Sequence, residues 1–528
     1  MTATSRVSGA SGVSGGEAVV RALAAHGVDV VFGIPGTHNL EIYRHLPAYG
    51  VRHVLTRHEQ GAGYAADGYA RVSGRPGVVL VTSGPATLNA AAAIGQAYSD
   101  SVPVLLLSPG MPSGHVAGSG YLHETRDQSR ALDSVAAYSH RVGGVAEIPA
   151  AVASAFAAMT GGRPRPVHLE IPLDLLGRRA VVADVAPIRP PVRVPGAAEL
   201  SEAARLLAGA ARPLVIAGGG ARGAAVRELA ERLGAPVVTS ANGKGVLAED
   251  HPLALGAGLH LPAVRDLAAW ADVVLVAGCE LAPSDLWNGP LEFTGAVVRV
   301  DVDPAQIVTN AVPDVALAGH ASATFDRLVQ LLGDGAAVPH EEVARWRALK
   351  DGQARAEGAR WEWIVRALNS GLGPDAVVAG DSAMVCYYGA LTGLRARFLY
   401  PTGYGTLGYG LPAAIGAAVA APGRAVAALM GDGGVMFTVA ELAAAAQLGL
   451  PLPVVVVDNG GYGEIRAEIA ARDDPRQAVD LPSPDFALLA GALGAQGLRA
   501  DDETTLTSAL KEALTADRPT LIHVKESP

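Results

Sequence analysis

The stretch Val426-Ala427-Ala428-Leu429-Met430-Gly431-Asp432-Gly433-Gly434 decides how this chain is read. Its apolar run, 426–430, reads as a buried strand, and the turn after it leaves Asp432 at the strand's carboxyl end. Ligands bind at that end in open α/β sheets. A second apolar run, 454–457, leads into Asp458-Asn459-Gly460-Gly461. Asn459 stands 27 residues beyond Asp432, room for one helix and a parallel return. A carboxylate, an amide oxygen and a backbone carbonyl are the hard oxygen donors magnesium prefers, with phosphate oxygens and water completing its octahedron. Gly433 and Gly434 let backbone N–H groups approach phosphate, and a helix after Gly433 would point its N-terminus there. Either motif alone is more often a plain turn. Together, each behind an apolar strand, they read as a metal and diphosphate site.

Outward from this segment the same βα alternation recurs. From about Gly16 to Asp174, apolar runs at 28–32, 51–55, 78–82 and 104–107 each precede a Gly-, Pro- or Ser-containing turn and an Ala-rich helical stretch. A Pro-rich link covers 187–195. Further runs at 214–217, 237–240, 273–277 and 297–301 form a second unit, and a charged helical linker follows at 341–360. The third unit adds 376–379 and 521–524 to the two strands already quoted. The expected class is therefore α/β, with three open parallel-sheet domains drawn at 14–180, 196–335 and 360–528. Thr82-Ser83-Gly84-Pro85 and Thr402-Gly403-Tyr404-Gly405 each precede an Ala-rich helix, a local likeness between the first and third units. Gly218-Gly219-Gly220 reads either as a nucleotide turn or as a tight turn that needs glycine for its backbone.

Bulk properties narrow the function classes. At 528 residues the chain exceeds what one core organises. Half of it is hydrophobic, which excludes general disorder. A formal net charge of −10 without a basic cluster argues against nucleic-acid binding. Mean hydropathy is +0.27, but the apolar runs are too short to span a bilayer. Cys279 and Cys386 lack metal or disulfide spacing. The Ser/Gly-rich start, to about Gly16, reads as a loose tail and not a signal peptide, so a cytoplasmic protein is expected.

Gly431-Asp432-Gly433 followed by Asp458-Asn459 resembles the signature of the thiamine diphosphate enzymes of the acetolactate synthase, pyruvate decarboxylase and benzoylformate decarboxylase superfamily, where Gly-Asp-Gly precedes Asn-Asn. Phe32-Gly33-Ile34-Pro35-Gly36, Arg57-His58-Glu59-Gln60, Ala66-Asp67-Gly68-Tyr69-Ala70-Arg71 and Thr82-Ser83-Gly84-Pro85 extend the resemblance over the first domain. It implies a pyrimidine-binding domain, a central domain and a diphosphate-binding domain. It assigns magnesium to Asp432, Asn459 and the Gly461 carbonyl, although Asp458 stands where the family has its first Asn. Gly433, Gly434, Tyr462 and Ser382 would line the cofactor, Gly405 would offer a carbonyl to its aminopyrimidine, and Leu407 would impose its bent shape. Glu59 would hydrogen-bond the aminopyrimidine and so activate the thiazolium carbon. A glutamate in a helix's first turn otherwise only complements the helix dipole. In this family Glu59 and the diphosphate site come from different subunits, which implies at least a dimer, and a tetramer is expected. FAD in the central domain is left open.

Around the reacting carbon the resemblance places Thr37, His38 and His123, the last able to shuttle protons near neutral pH. Glu464 falls after the metal loop, able to relay a proton or attract a cationic tail, or else simply solvated. The strings 53–63, 124–128 and 401–410 look closest to 5-guanidino-2-oxopentanoate decarboxylases. The leading expectation is non-oxidative decarboxylation of a 2-oxo acid. The alternatives are a carboligase of the acetolactate synthase type and a non-catalytic regulatory paralogue.

Overall fold

The apolar runs fold as the strands of three six-stranded parallel sheets in a computed structural model that describes residues 12–332 and 340–526. The first sheet holds β1 (Val30–Gly33), β2 (Arg52–Leu55), β3 (Gly77–Leu80), β4 (Val104–Gly110), β5 (Ser139–Arg141) and β6 (Val167–Pro172), in the order β2-β1-β3-β4-β6-β5. The second holds β7 (Pro213–Ala217), β8 (Val237–Thr239), β9 (Ala254–Ala257), β10 (Val273–Ala277), β11 (Ala296–Asp301) and β12 (Val315–Ala318), ordered β9-β8-β7-β10-β11-β12. The third holds β13 (Val377–Gly380), β14 (Arg397–Leu399), β15 (Val426–Gly431), β16 (Pro453–Asp458), β17 (Gln496–Arg499) and β18 (Thr520–Lys525), ordered β14-β13-β15-β16-β18-β17. The first and third orders are the same permutation. In both, the chain runs to one neighbour and then reverses, which opens a crevice beyond the carboxyl ends of β1 and β3 and of β13 and β15.

The helices used below are α1 (Glu59–Ser73), α2 (Pro85–Ser99), α3 (His340–Gly358), α4 (Gly410–Ala420), α5 (Glu441–Gln447) and α6 (Gly463–Ala471). Helix α3 is the charged linker expected at 341–360. The chain packs as two compact units that are not contiguous in sequence. Of the described residues, the first comprises 12–190, Pro412–Pro422 and Thr438–Leu448, and the second comprises the rest.

Within the first unit, Gly63 lets α2 approach α1, because a Cβ there would lie 2.4 Å from that of Ala93. Arg71 of α1 bonds both Asp67, at 2.6 Å, and Asp100, at 2.7 Å, so these buried carboxylates are paired. Within the second unit, the Gly218-Gly219-Gly220 run serves close backbone approach. A Cβ on Gly218 would fall 2.1 Å from the Gly278 oxygen, and Gly220 N donates to that same oxygen at 3.0 Å.

The helix expected after Gly433 is cut short. The helix after Gly433 is a single turn, Asp432–Val435, and α5 begins only at Glu441. Gly433 and Gly434 both lie within that turn, and the chain from Met436 to Ala440 runs as turns before the next helix.

Candidate active site

In the second unit, β15 and β16 deliver Asp432 and Asn459 side by side, as their register requires. Gly431 pairs with Val457, and Asn459 N donates to Asp432 Oδ1 at 3.3 Å. Asp432 is 4% exposed, and burial raises its carboxyl above the usual range; the hydrogen bond from Asn459 opposes that shift. Asn459 Oδ1 is buried without a hydrogen-bond partner. A buried acceptor left unpaired costs about 1–3 kcal/mol, and a cation at this point would satisfy it and stabilise the Asp432 carboxylate. The Gly461 carbonyl accepts from Gly463 N at 3.1 Å and keeps a second lone pair. Its backbone has φ +138°, and a Cβ would lie 2.2 Å from the Val479 oxygen, so only glycine fits. Arg466 of α6 clamps the loop through the carbonyls of Asn459 (3.1 Å) and Gly460 (3.0 Å). The donor set thus fits a hard divalent cation. Among the described residues no cluster of three His, Cys, Asp or Glu side chains exists to hold a softer one.

Asp458, the departure from the family signature, faces elsewhere. Its carboxylate accepts from Ser483 Oγ (2.7 Å) and Gly460 N (3.0 Å) and lies 3.0 Å from His523 Nε2. These contacts fix the loop and turn Asp458 away from Asp432 and the unpaired Asn459 Oδ1.

The cradle around Asp432 is filled closely. A Cβ on Gly433 would meet the Tyr462 ring at 2.9 Å, and one on Gly434 would meet Asp381 Oδ2 at 2.5 Å. Asp381, just past β13, was not foreseen from sequence. It is fully buried and accepts from Gly408 N (2.9 Å), Ser382 N (2.9 Å) and Tyr409 N (3.3 Å). Burial pushes it up to about 6, against the pull of those three donors. Through it, Ser382 and the loop carrying Gly405 and Leu407 are tied to one point. Gly405 is exposed with φ +60°, and Leu407 is half-buried. Glu464, in the first turn of α6, accepts from Tyr387 Oη (3.2 Å) and Tyr388 Oη (3.1 Å). Both tyrosines stand on a π-helical stretch, Val385–Ala390, a form that recurs at functional sites.

In the first unit, the crevice beyond β1 and β3 brings two of the expected residues together. His38 Nδ1 lies 2.7 Å from Ser83 Oγ, and His123 Nδ1 lies 3.5 Å from the same oxygen. The two rings meet edge to face with centroids 5.0 Å apart. His38 is 6% exposed, and burial, with His123 beside it, holds the imidazole below its usual range. His123 has φ +62°, a strained backbone for a non-glycine residue, and its carbonyl would meet a Cβ on Gly84 at 2.4 Å. Thr37 is exposed beside this pair. Gln128 braces the turn by accepting from Gly84 N at 2.7 Å and donating to Pro109 O at 2.9 Å. Glu59 opens α1 and accepts from Asn89 Nδ2 at 3.0 Å.

Two six-stranded sheets of one topology, one carrying a cation-ready Gly-Asp-Gly loop and the other a helix-initial glutamate, define a cofactor-dependent α/β enzyme. The chain belongs to the thiamine pyrophosphate enzyme family. It matches that family's N-terminal TPP binding domain at residues 13–131, its central domain at 200–328 and its C-terminal TPP binding domain at 379–524. It is 44% identical to a probable 2-ketoarginine decarboxylase of Pseudomonas aeruginosa, over 98% of this chain and 94% of that protein. It is 33% identical to an acetolactate synthase of Mycobacterium bovis, over 95% and 86% respectively. It is 34% identical to an acetolactate synthase large subunit of Parasynechococcus marenigrum, over 97% and 87%. Among the described residues no helix is long and apolar enough to cross a membrane.

Proposed function

We propose that this enzyme decarboxylates 2-ketoarginine (5-guanidino-2-oxopentanoate) to the corresponding aldehyde and CO₂. The observation that carries the proposal is 44% identity, along nearly the full length of both chains, to a probable 2-ketoarginine decarboxylase. The pairing of Glu464 with Tyr387 and Tyr388 supports it, since a guanidinium is recognised best by a fixed carboxylate.

Asp432, Asn459 Oδ1 and the Gly461 carbonyl would hold magnesium, and Gly433, Gly434, Tyr462 and Ser382 would line the cofactor. Gly405 would offer its carbonyl to the aminopyrimidine, and Leu407 would impose the bent shape of the cofactor. Bound there, thiamine diphosphate supplies a nucleophilic carbon and a sink for the electrons released as CO₂ departs. Glu59 holds the proton that tunes the aminopyrimidine. His38 and His123, joined through Ser83, move the proton that replaces the lost carboxylate. The Glu59 group of one copy of the chain completes the Asp432 group of another, so the working form is at least a dimer, in keeping with the family's shared sites.

The acetolactate synthases at 33–34% identity favour a second reading, carboligation of two 2-oxo acids. Incubation with thiamine diphosphate, magnesium and either 2-ketoarginine, pyruvate or 2-oxobutyrate separates the two. The proposal expects CO₂ and guanidino-aldehyde in a one-to-one ratio, with kcat/KM highest for 2-ketoarginine. Acetohydroxy acid as the main product from pyruvate, without turnover of 2-ketoarginine, would reject it.

A further inference from the structure

Glu441 is a carboxylate that neither the metal loop nor the proton-shuttling pair uses. It opens α5 and is 1% exposed. Its oxygens accept from two backbone N–H groups. Arg57 N donates to Oε1 at 3.0 Å and to Oε2 at 3.1 Å, and His58 N donates to Oε1 at 3.0 Å. The two donors are the residues immediately before Glu59. The carboxylate also lies flat against the first turn of α1, where a Cβ on Gly61 would come within 2.3 Å of Oε1. His58 caps that helix, its Nδ1 accepting from Gln60 N at 3.2 Å. The peptide that carries Glu59 is therefore anchored on one side by Glu441, while the Glu59 side chain is anchored on the other by Asn89.

We propose that Glu441 is a positioning residue for Glu59: its buried carboxylate fixes the Arg57–His58 backbone and so aims the activating glutamate. The inference rests on the assignment of Glu59 made above. Burial raises Glu441 to about 7, the hydrogen bonds from Arg57 and His58 oppose this, and the nearby Glu59 charge adds to it. The chosen spot thus costs the protein charge solvation, which an ordinary surface helix start would avoid. A displacement of about 1 Å in a catalytic group costs on the order of 100-fold in rate.

The test uses the full-length enzyme with thiamine diphosphate and magnesium, and follows deuterium exchange at the thiazolium C2–H in Glu441→Ala, Glu441→Gln and Glu59→Gln. Glu441→Ala is expected to slow exchange by about tenfold or more, with cofactor affinity within about threefold of wild type. Glu441→Gln keeps an acceptor oxygen for both N–H groups and is expected to restore most of the rate. In the cofactor-free protein, amide exchange over 56–63 is expected to rise in the Ala variant and not in the Gln variant. If the Ala variant does not fold, Glu441→Asp, whose shorter side chain withdraws the acceptor, takes its place. Wild-type C2–H exchange in the Ala or Asp variant overturns the proposal. So does a Gln variant as slow as Ala with 56–63 fully protected. Unchanged exchange in Glu59→Gln instead overturns the Glu59 assignment itself.

Discussion

Glu464 is held by two phenol donors, and those donors change what the carboxylate can bind. An ionised carboxylate offers about four acceptor positions, and Tyr387 and Tyr388 take one each. Burial pushes both phenols above their ordinary range, and the charge of Glu464 adds to the effect, so neither competes as an acid. Glu357 and Glu468 raise Tyr388 further, which marks this corner as one of negative potential. Such a corner favours a guanidinium over an alkyl tail. Glu464→Gln keeps the shape and removes the charge. It is expected to raise KM for 2-ketoarginine about 10- to 100-fold, the value of a charge-assisted bond of roughly 1.5–3 kcal/mol. KM for 2-oxobutyrate should barely move. Steady-state kinetics on both substrates checks this, and an equal change on both would remove Glu464 from substrate recognition. The candidate site residues legible in the sequence, Asp432, Asn459 and Glu59, sit in short motifs bounded by strands or turns. Glu441 and Asp381 were not, and the reason is physical. A glutamate in a first helical turn looks like a dipole partner, and the bond that gives it meaning reaches a residue 383 positions away. Asp381 likewise takes its donors from a loop 27 positions on.

At the scale of elements, glycines set how closely helices approach. In the first unit, a Cβ on Gly416 of α4 would fall 1.8 Å from the Ala65 oxygen of α1, and one on Gly68 would fall 2.1 Å from the Ala413 oxygen. Since backbone meets backbone, neither side can yield by rotating a side chain. Gly416→Ala is expected to destabilise the enzyme by about 1–3 kcal/mol, which lowers Tm by about 2–4 °C per kcal/mol. Gly491, helical with open space around it, is the control, and Gly491→Ala should leave Tm level or slightly higher. Calorimetry on the two variants decides the matter, and an unchanged Tm for Gly416→Ala would mean the helices separate freely. The strands not anticipated from sequence include β5, β9, β12, β14 and β17, all at sheet edges, although the edge strand β2 was read from its run at 51–55. Two of them, Ser139–Arg141 and Gln496–Arg499, are short and mixed, so no apolar run announces them. The internal strand β6 was missed for a different cause. His168 and Glu170 interrupt its apolar pattern, yet both are buried and satisfied. His168 lies between Ser108 and Ser139 at 2.8 and 2.6 Å, and Glu170 accepts from Ser129 at 2.6 Å and pairs with Arg141.

At the scale of the whole molecule, two sheets of identical strand order carry the two halves of the proposed site. The first sheet bears Glu59, His38 and His123, proposed above to handle protons, and the third bears the loops proposed to hold the cation and diphosphate. The local likeness between the turns after β3 and before α4 was the only hint of this in the sequence, because strand order depends on pairing that no single segment encodes. A chain holding one of each half is suited to reciprocal assembly, in which each copy lends its Glu59 group to the other's Asp432 group. That arrangement makes a quantitative prediction. Glu59→Gln and Asp432→Asn chains, each inactive alone, are mixed in equal amounts under conditions that exchange subunits. Half of random dimers are then heterodimers, and each contains one site with both native residues, so activity should recover to about a quarter of wild type. A heterodimer's other site carries both substitutions and contributes nothing. If Glu59 and Asp432 of the same chain served one site, every site in the mixture would carry a substitution. The mixture would then stay as inactive as its parts, however completely the subunits exchanged.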